Sequence, residues 1–295
     1  MKLREMLKSG EERLREAGIS NAAYEARLMM QEAYGKEAAE LLAELDRDVC
    51  PGALGAAEPA HITRCPGDCG GRITFDASIS QRVRHVPLQQ ILGYTFFMGL
   101  RMNVNRHVLI PRQDTETLAE TVLEHEKETD NRLLDLCTGS GCLAAALGKL
   151  GGYRHITASD VSRDALHVAM RNAALHGVQM DFVQSDLFEK LEGSFDVIVS
   201  NPPYIATDVI ETLEPEVRDH DPRQALDGGP DGLDFYRRIA SEGYLHMVPG
   251  GRIYLEIGYD QAAAVQEILT GAGFSEIRII QDLAGQDRVV CGVRE

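Results

Sequence analysis

The most chemically specific stretch is Phe195-Asp196-Val197-Ile198-Val199-Ser200-Asn201-Pro202-Pro203-Tyr204, an apolar strand-type run that ends in an amide, two prolines and a phenol. Asn-Pro-Pro alone is a turn that stops a strand. At the carboxyl end of a central strand it can do more. Two prolines fix φ and donate no hydrogen bond, so the carbonyls there are rigid acceptors. The Asn201 side-chain oxygen and a backbone carbonyl can then grip both hydrogens of one NH2 group, while Tyr204 offers a face for a planar substrate. The set suits an amino group held on a flat, conjugated system.

A second stretch, Leu133-Leu134-Asp135-Leu136-Cys137-Thr138-Gly139-Ser140-Gly141-Cys142-Leu143, reads as a buried strand, a glycine turn and an Ala-rich helix. Glycines there let a ligand approach the backbone at the strand's carboxyl edge. Position 144 is Ala, so the dinucleotide pattern Gly-x-Gly-x-x-Gly is absent, as is a phosphate-binding Lys. Asp160 ends the next strand, 19 positions beyond Gly141, where a carboxylate can accept both hydroxyls of a ribose. Asp186 ends a third strand at the same edge. These strand ends together suggest an adenosine-type ligand without phosphates. Cys137 and Cys142 flank the turn as small packing residues rather than nucleophiles.

The elements that must position these groups alternate. Apolar runs at 132–137, 154–159, 180–183, 195–200 and 251–257 are candidate strands, and a helix capped by Ser162 and ended by Gly177 lies between the second and third. Strands separated by helices imply a parallel sheet with crossovers on both faces, and the closely spaced runs 277–281 and 287–293 imply an antiparallel edge. Upstream, residues 94–104 alternate around Gly99 as a β-hairpin, and Asp114 or Thr115 can cap a helix running to about Lys127. The polar 205–232 stretch is long enough to border a substrate entrance or to be a surface insertion. The chain starts with amphipathic helices; Ser9-Gly10 offers a break in the first, and Ser20-Asn21 an N-cap for the second. Three domains follow: 1–75, a helical docking domain with a Cys/Gly/Pro-rich loop at about 48–73; 76–110, a linker with the hairpin; and 111–295, the catalytic domain. Cys50, His61, Cys65 and Cys69 in the loop could ligate zinc or be free thiols in a plain loop.

Composition narrows the class. The formal charge of −16 argues against a general nucleic-acid or anionic-membrane binder, although residues 76–115 form a small basic island of five Arg against two Asp. No apolar run approaches bilayer length, the charged start Met1–Lys8 lacks a signal-peptide pattern, and six Cys are too sparse for a disulfide scaffold. A cytoplasmic, reduced protein is the expectation.

Leu-Asp-Leu-Cys-Thr-Gly-Ser-Gly and Ser-Asn-Pro-Pro-Tyr-Ile, with Pro111-Arg112-Gln113-Asp114-Thr115-Glu116, Pro87-Leu88-Gln89-Gln90-Ile91-Leu92-Gly93 and the helical start, make the chain similar to the peptide chain release factor glutamine methyltransferase family. The resemblance is close over 80–295 and loose over 1–46; the turn-rich 48–73 stretch departs from it. It implies a Rossmann-like α/β fold of the class I methyltransferases, with a mostly parallel seven-stranded sheet and an antiparallel edge strand. It implies S-adenosyl-L-methionine as cofactor and, as acceptor, the side-chain amide of the glutamine in the Gly-Gly-Gln loop of class I release factors. Thr138, Gly139, Ser140 and Gly141 would then line the methionine part of the cofactor, with Cys137 also at the cofactor site, Asp160 the ribose, and Asp186 with Leu187 the adenine. Asn201, also at the cofactor's edge, and the Pro202 carbonyl would accept the amide hydrogens. Pro203 and Tyr204 would pack beside them. Competing expectations are an adenine amino-methyltransferase using the same grip on a flipped base, a glutamine methyltransferase of a ribosomal protein, and a cofactor-binding protein without turnover. No membrane partner, metal or nucleic-acid substrate is expected.

Overall fold

The computed structural model describes residues 2–47 and 75–295. They fall into two compact units, Met1–Leu92 and Gly93–Glu295, so the expected 76–110 linker divides, its helices in the first unit and its hairpin in the second. The 48–73 loop with Cys50, His61, Cys65 and Cys69 lies outside the described residues.

The first unit contains α1 (Leu3–Glu16), α2 (Ala22–Tyr34), α3 (Ala38–Ala43), α4 (Phe75–Arg82) and α5 (Leu88–Leu92). Leu3, Met6, Leu7 and Leu14 recur at helical spacing, so one face of α1 is apolar and packs with Ala26, Met29 and Met30 of α2 and Ile79 of α4. The break expected at Ser9-Gly10 does not occur. Gly10 sits inside α1 because a Cβ there would come within 2.6 Å of the Phe75 ring, so the glycine serves close helix packing. Asn21 does precede α2, but its side chain makes no capping bond; Gly35, in the left-handed conformation, ends the helix.

The second unit opens with the hairpin β1 (Tyr94–Phe97) and β2 (Leu100–Asn103), then α6 (Gln113–His125), β3 (Arg132–Leu136), α7 (Cys142–Ala146), β4 (His155–Asp160), α8 (Arg163–His176) and β5 (Asp181–Gln184). It continues with β6 (Phe195–Ser200), α9 (Pro215–Arg218), α10 (Asp234–Leu245), β7 (Met247–Glu256), α11 (Ala262–Gly271), β8 (Phe274–Gln281) and β9 (Asp287–Arg294). The seven sheet strands lie in the order β5-β4-β3-β6-β7-β9-β8. β5 through β7 are parallel, and β9 inserts antiparallel to both β7 and β8. Because successive side chains point to opposite faces, Leu133 and Val197 join one buried cluster while Leu134 and Ile198 join the other. Each such side chain contributes about 2 kcal/mol of burial, which holds β3 and β6 side by side.

That pairing positions the site. From β3 the chain runs outward to β4 and β5, then crosses back to β6 on the other side of β3. The strand order reverses there, and a crevice opens at the carboxyl ends of β3 and β6. One sequence expectation is corrected beside it, and another is decided between its two alternatives. Arg112, not Asp114 or Thr115, is the N-cap of α6, which leaves Thr115 buried in the first turn. The 205–232 segment is no loose insertion: it holds two short 3-10 turns, α9 and a bridge from Ile205 to Asp227. Among the described residues no helix is long and apolar enough to cross a membrane.

Candidate active site

The crevice is lined by Cys137, Thr138, Gly139 and Ser140 after β3, Asp160 at the end of β4, Asp186 and Leu187 after β5, and Asn201 and Pro203 after β6. The glycine turn is shaped by two carboxylates. Asp135, fully buried, accepts from the Thr138 hydroxyl at 2.5 Å and the Ala144 N–H at 3.1 Å, closing the turn onto the start of α7. Burial pushes its carboxyl up to about 7, against those two hydrogen bonds. Asp160 accepts from the Gly139 N–H at 2.9 Å and the Ser162 N–H at 2.8 Å. Burial raises its pKa and the backbone N–H groups counter the rise, and each oxygen keeps a second lone pair for a ligand hydroxyl.

The two glycines differ. Gly139, at φ 55°, would carry a Cβ into open space, whereas a Cβ on Gly141 would lie 2.8 Å from that of Ala169 in α8. Gly141 therefore buries the turn against α8. Asn172 of α8 completes the support by donating to the carbonyls of Ser140 at 2.8 Å and Asn103 at 3.0 Å. Cys137 holds φ 60°, and burial drives its thiol far above the ordinary range; Cys142 is pushed up to about 12. Neither is a thiolate near neutral pH. Asp186 is exposed and pairs with Arg238 at 2.9 Å, so a cation of α10 closes that corner.

Across the crevice, Ser200 ties the end of β6 to β3 by donating to the Leu136 carbonyl at 2.7 Å. Asn201 follows, and its Nδ2 donates to Thr115 Oγ1 at 3.1 Å. With Nδ2 committed, Oδ1 is the branch left to accept from a ligand. Pro202 is buried, and Tyr204 turns its hydroxyl toward Glu256 Oε1, 3.4 Å away, while Gln261 Nε2 donates to its carbonyl at 2.9 Å. Burial and the neighbouring Glu256 push the Tyr204 pKa well up, so its phenol stays protonated. Arg112 reaches from the cap of α6 to the buried Asp221 at 2.8 Å, fastening the 205–232 segment, whose Pro222, Gln224 and Ala225 reach the crevice. Asn172, Arg238, Glu256 and Gln261 were not singled out from the sequence, and Thr115 was singled out only as a helix cap. Glu256 and Gln261 carried one signal, polar residues flanking Gly258 at the end of a buried strand.

Strand order, the β3/β6 crevice and the glycine turn define an α/β enzyme with the class I methyltransferase fold. Residues 113–214 match the family model of the methyltransferase small domain, and residues 5–59 match that of the PrmC N-terminal domain. A methyltransferase from Pyrococcus furiosus shares the fold, with a TM-score of 0.51 over 67% of this chain and 90% of its own, at 18% identity. The release factor glutamine methyltransferase of Agrobacterium fabrum is 39% identical over 286 residues, covering 94% of this chain and 92% of its own. That of Thermodesulfovibrio yellowstonii is 44% identical over 222 residues, 74% and 80% of the two chains. The chain belongs to the release factor glutamine methyltransferase family.

Proposed function

We propose that this protein transfers a methyl group from S-adenosyl-L-methionine to the side-chain amide nitrogen of the glutamine in the Gly-Gly-Gln motif of class I peptide chain release factors, in the cytoplasm. Near-full-length similarity to relatives of that name supports the substrate class. One observation carries the chemistry: Asn201, its Nδ2 anchored on Thr115, stands at the end of β6 in the same crevice as the glycine turn and Asp160.

The residues present fit the cofactor. Asp160 has lone pairs for ribose hydroxyls, Thr138, Gly139 and Ser140 give a close-approach backbone for the methionine part, and Leu187 gives an apolar border for the adenine. Carboxylates at this edge suit a ligand that carries a cationic sulfur and no phosphate. When bound, it supplies an electrophilic methyl group.

An amide nitrogen is a poor nucleophile because its lone pair is delocalised into the carbonyl. Asn201 Oδ1 and the Pro202 carbonyl accept its two N–H groups, which orients the nitrogen and stabilises the positive charge that develops on it, until the strongly acidic methylated nitrogen releases one of those two protons to water. Such positioning supplies up to about 7–11 kcal/mol in favourable intramolecular cases, enough to carry most of the catalysis without a strong base. Tyr204, with Pro203, packs along the acceptor plane. The N-terminal segment 1–75 is the docking domain for the release factor and 111–295 the catalytic one.

The test is transfer of labelled methyl from S-adenosylmethionine, with purified class I release factor, ribosomal protein and duplex DNA offered in parallel and the product located by mass. Label on the Gly-Gly-Gln glutamine is expected. Label on a DNA adenine would overturn the substrate, as would label on a ribosomal-protein glutamine alone.

A further inference from the structure

Glu256 ends β7 behind the crevice, 1% exposed. A carboxylate at such depth is costly unless it is well partnered, yet among the described residues its Oε2 has no hydrogen-bond partner. Its environment converges on the acceptor grip. Tyr204 turns its hydroxyl to Oε1 at 3.4 Å. The Thr115 hydroxyl also faces this carboxylate and favours its charged form. Thr115 is the group to which Asn201 Nδ2 donates. A hydroxyl has one hydrogen, so a Thr115 oxygen that accepts from Asn201 turns its own hydrogen elsewhere, and Glu256 is the acceptor in front of it. Tyr236 donates to the Glu256 backbone carbonyl at 2.8 Å and holds the strand end in place.

We infer that Glu256 is a positioning residue for methyl transfer, a single buried carboxylate that fixes Tyr204 directly and Asn201 through Thr115. The inference rests on the reading of Asn201 as the acceptor grip. A carboxylate is suited to the task because in its charged form it accepts and does not donate. It orders Thr115 and Tyr204 as donors, and Thr115 in turn leaves Asn201 only one orientation, Nδ2 inward and Oδ1 toward the ligand. Glutamine at 256 has the same shape but carries an NH2 in place of one carboxylate oxygen, a donor that can turn the Thr115 hydroxyl the other way. The other charged or titratable groups facing Glu256 are Asp114, Arg288 and Cys142. Among the described residues none of them bonds to Asn201, so Thr115 is the link between Glu256 and Asn201.

Glu256→Gln and Thr115→Val are each expected to lower kcat by about 10–30-fold, with KM for S-adenosylmethionine within twofold of wild type and no loss of melting temperature at pH 8. Thr115→Ser, which keeps the hydroxyl, should restore kcat to within threefold. Thr115→Val added to Asn201→Ala should cause no further loss, because the group it orients is gone. A second readout needs no turnover: hydrogen exchange of the Asn201 side-chain amide, followed by NMR, should speed up at least tenfold in Thr115→Val. Turnover within twofold of wild type in both single variants, or an unchanged Asn201 exchange rate, would overturn the inference. Should the wild-type enzyme methylate another acceptor, the release-factor reading fails while these ratios, measured on that acceptor, still decide the role of Glu256.

Discussion

The two walls of the crevice are built differently. The turn of the cofactor wall is shaped by neighbours in sequence, with Asn172 bracing it from 32 positions away: Asp135 closes the turn over Thr138 and Ala144, three and nine positions away, and Asp160 reaches back 21 positions to Gly139. Backbone N–H groups supply most of its bonds. The acceptor wall is assembled across long separations. Asn201 depends on Thr115, 86 positions away, Tyr204 on Glu256 and Gln261 at 52 and 57, and the adjoining segment on an Arg112–Asp221 bond spanning 109. The contrast teaches that cofactor binding and acceptor alignment are separable properties of one cleft, the first set by a local motif and the second by how α6, β6 and β7 pack.

Variants on either wall sharpen or break that separation. The largest effect on the cofactor wall belongs to Asp160→Ala, which removes the ribose acceptor. Affinity for S-adenosylmethionine, measured by calorimetry, should fall about 10–100-fold, while kcat at saturating cofactor changes little. Gly141→Ala comes next, because its Cβ would meet Ala169 and its φ of 75° strains any L side chain. Thermal unfolding should show a loss of about 1–3 kcal/mol.

Glu256 adds a pH dependence of opposite character. Burial lifts its folded-state pKa to about 7 from an ordinary 4.5. The folded protein therefore holds this proton more tightly than the unfolded chain. Stability from this group is full at low pH and declines as pH rises from about 4.5 through 7. Glu256→Gln should be more stable than wild type at pH 8 by about 1–3 kcal/mol, with the gain vanishing near pH 4.5. A variant that melts later and turns over more slowly is the signature of a residue kept for alignment. The smallest effect is that of Arg238→Ala. It removes an exposed pair with Asp186, and cofactor affinity should change less than threefold.

The same contrast explains what could be read in advance. Apolar runs located the strands to within a few residues; right-handed crossovers with helices on both faces require a reversal of strand order, and the structure places it between β3 and β6. The glycine turn and Asp160 were legible because their bonds are short in sequence. Thr115 reads from sequence as a helix cap, and only the packing of α6 beside β6 makes it a partner of Asn201. Gly10 reads as a breaker until Phe75 is seen against it. Glu256 looks like a polar residue closing a strand, since nothing local marks the phenol of Tyr204 or the hydroxyl of Thr115 in front of it. Long-range side-chain contacts leave no periodic trace.

Asn201→Ala tests the account most directly, with S-adenosylmethionine affinity by calorimetry and single-turnover methylation of release factor measured on the same preparation. Affinity within threefold of wild type with a rate lowered by about 100–1,000-fold is the expected result. A rate and an affinity that fall by similar factors would contradict it, because Asn201 would then belong to the cofactor wall and the two walls would not be separable.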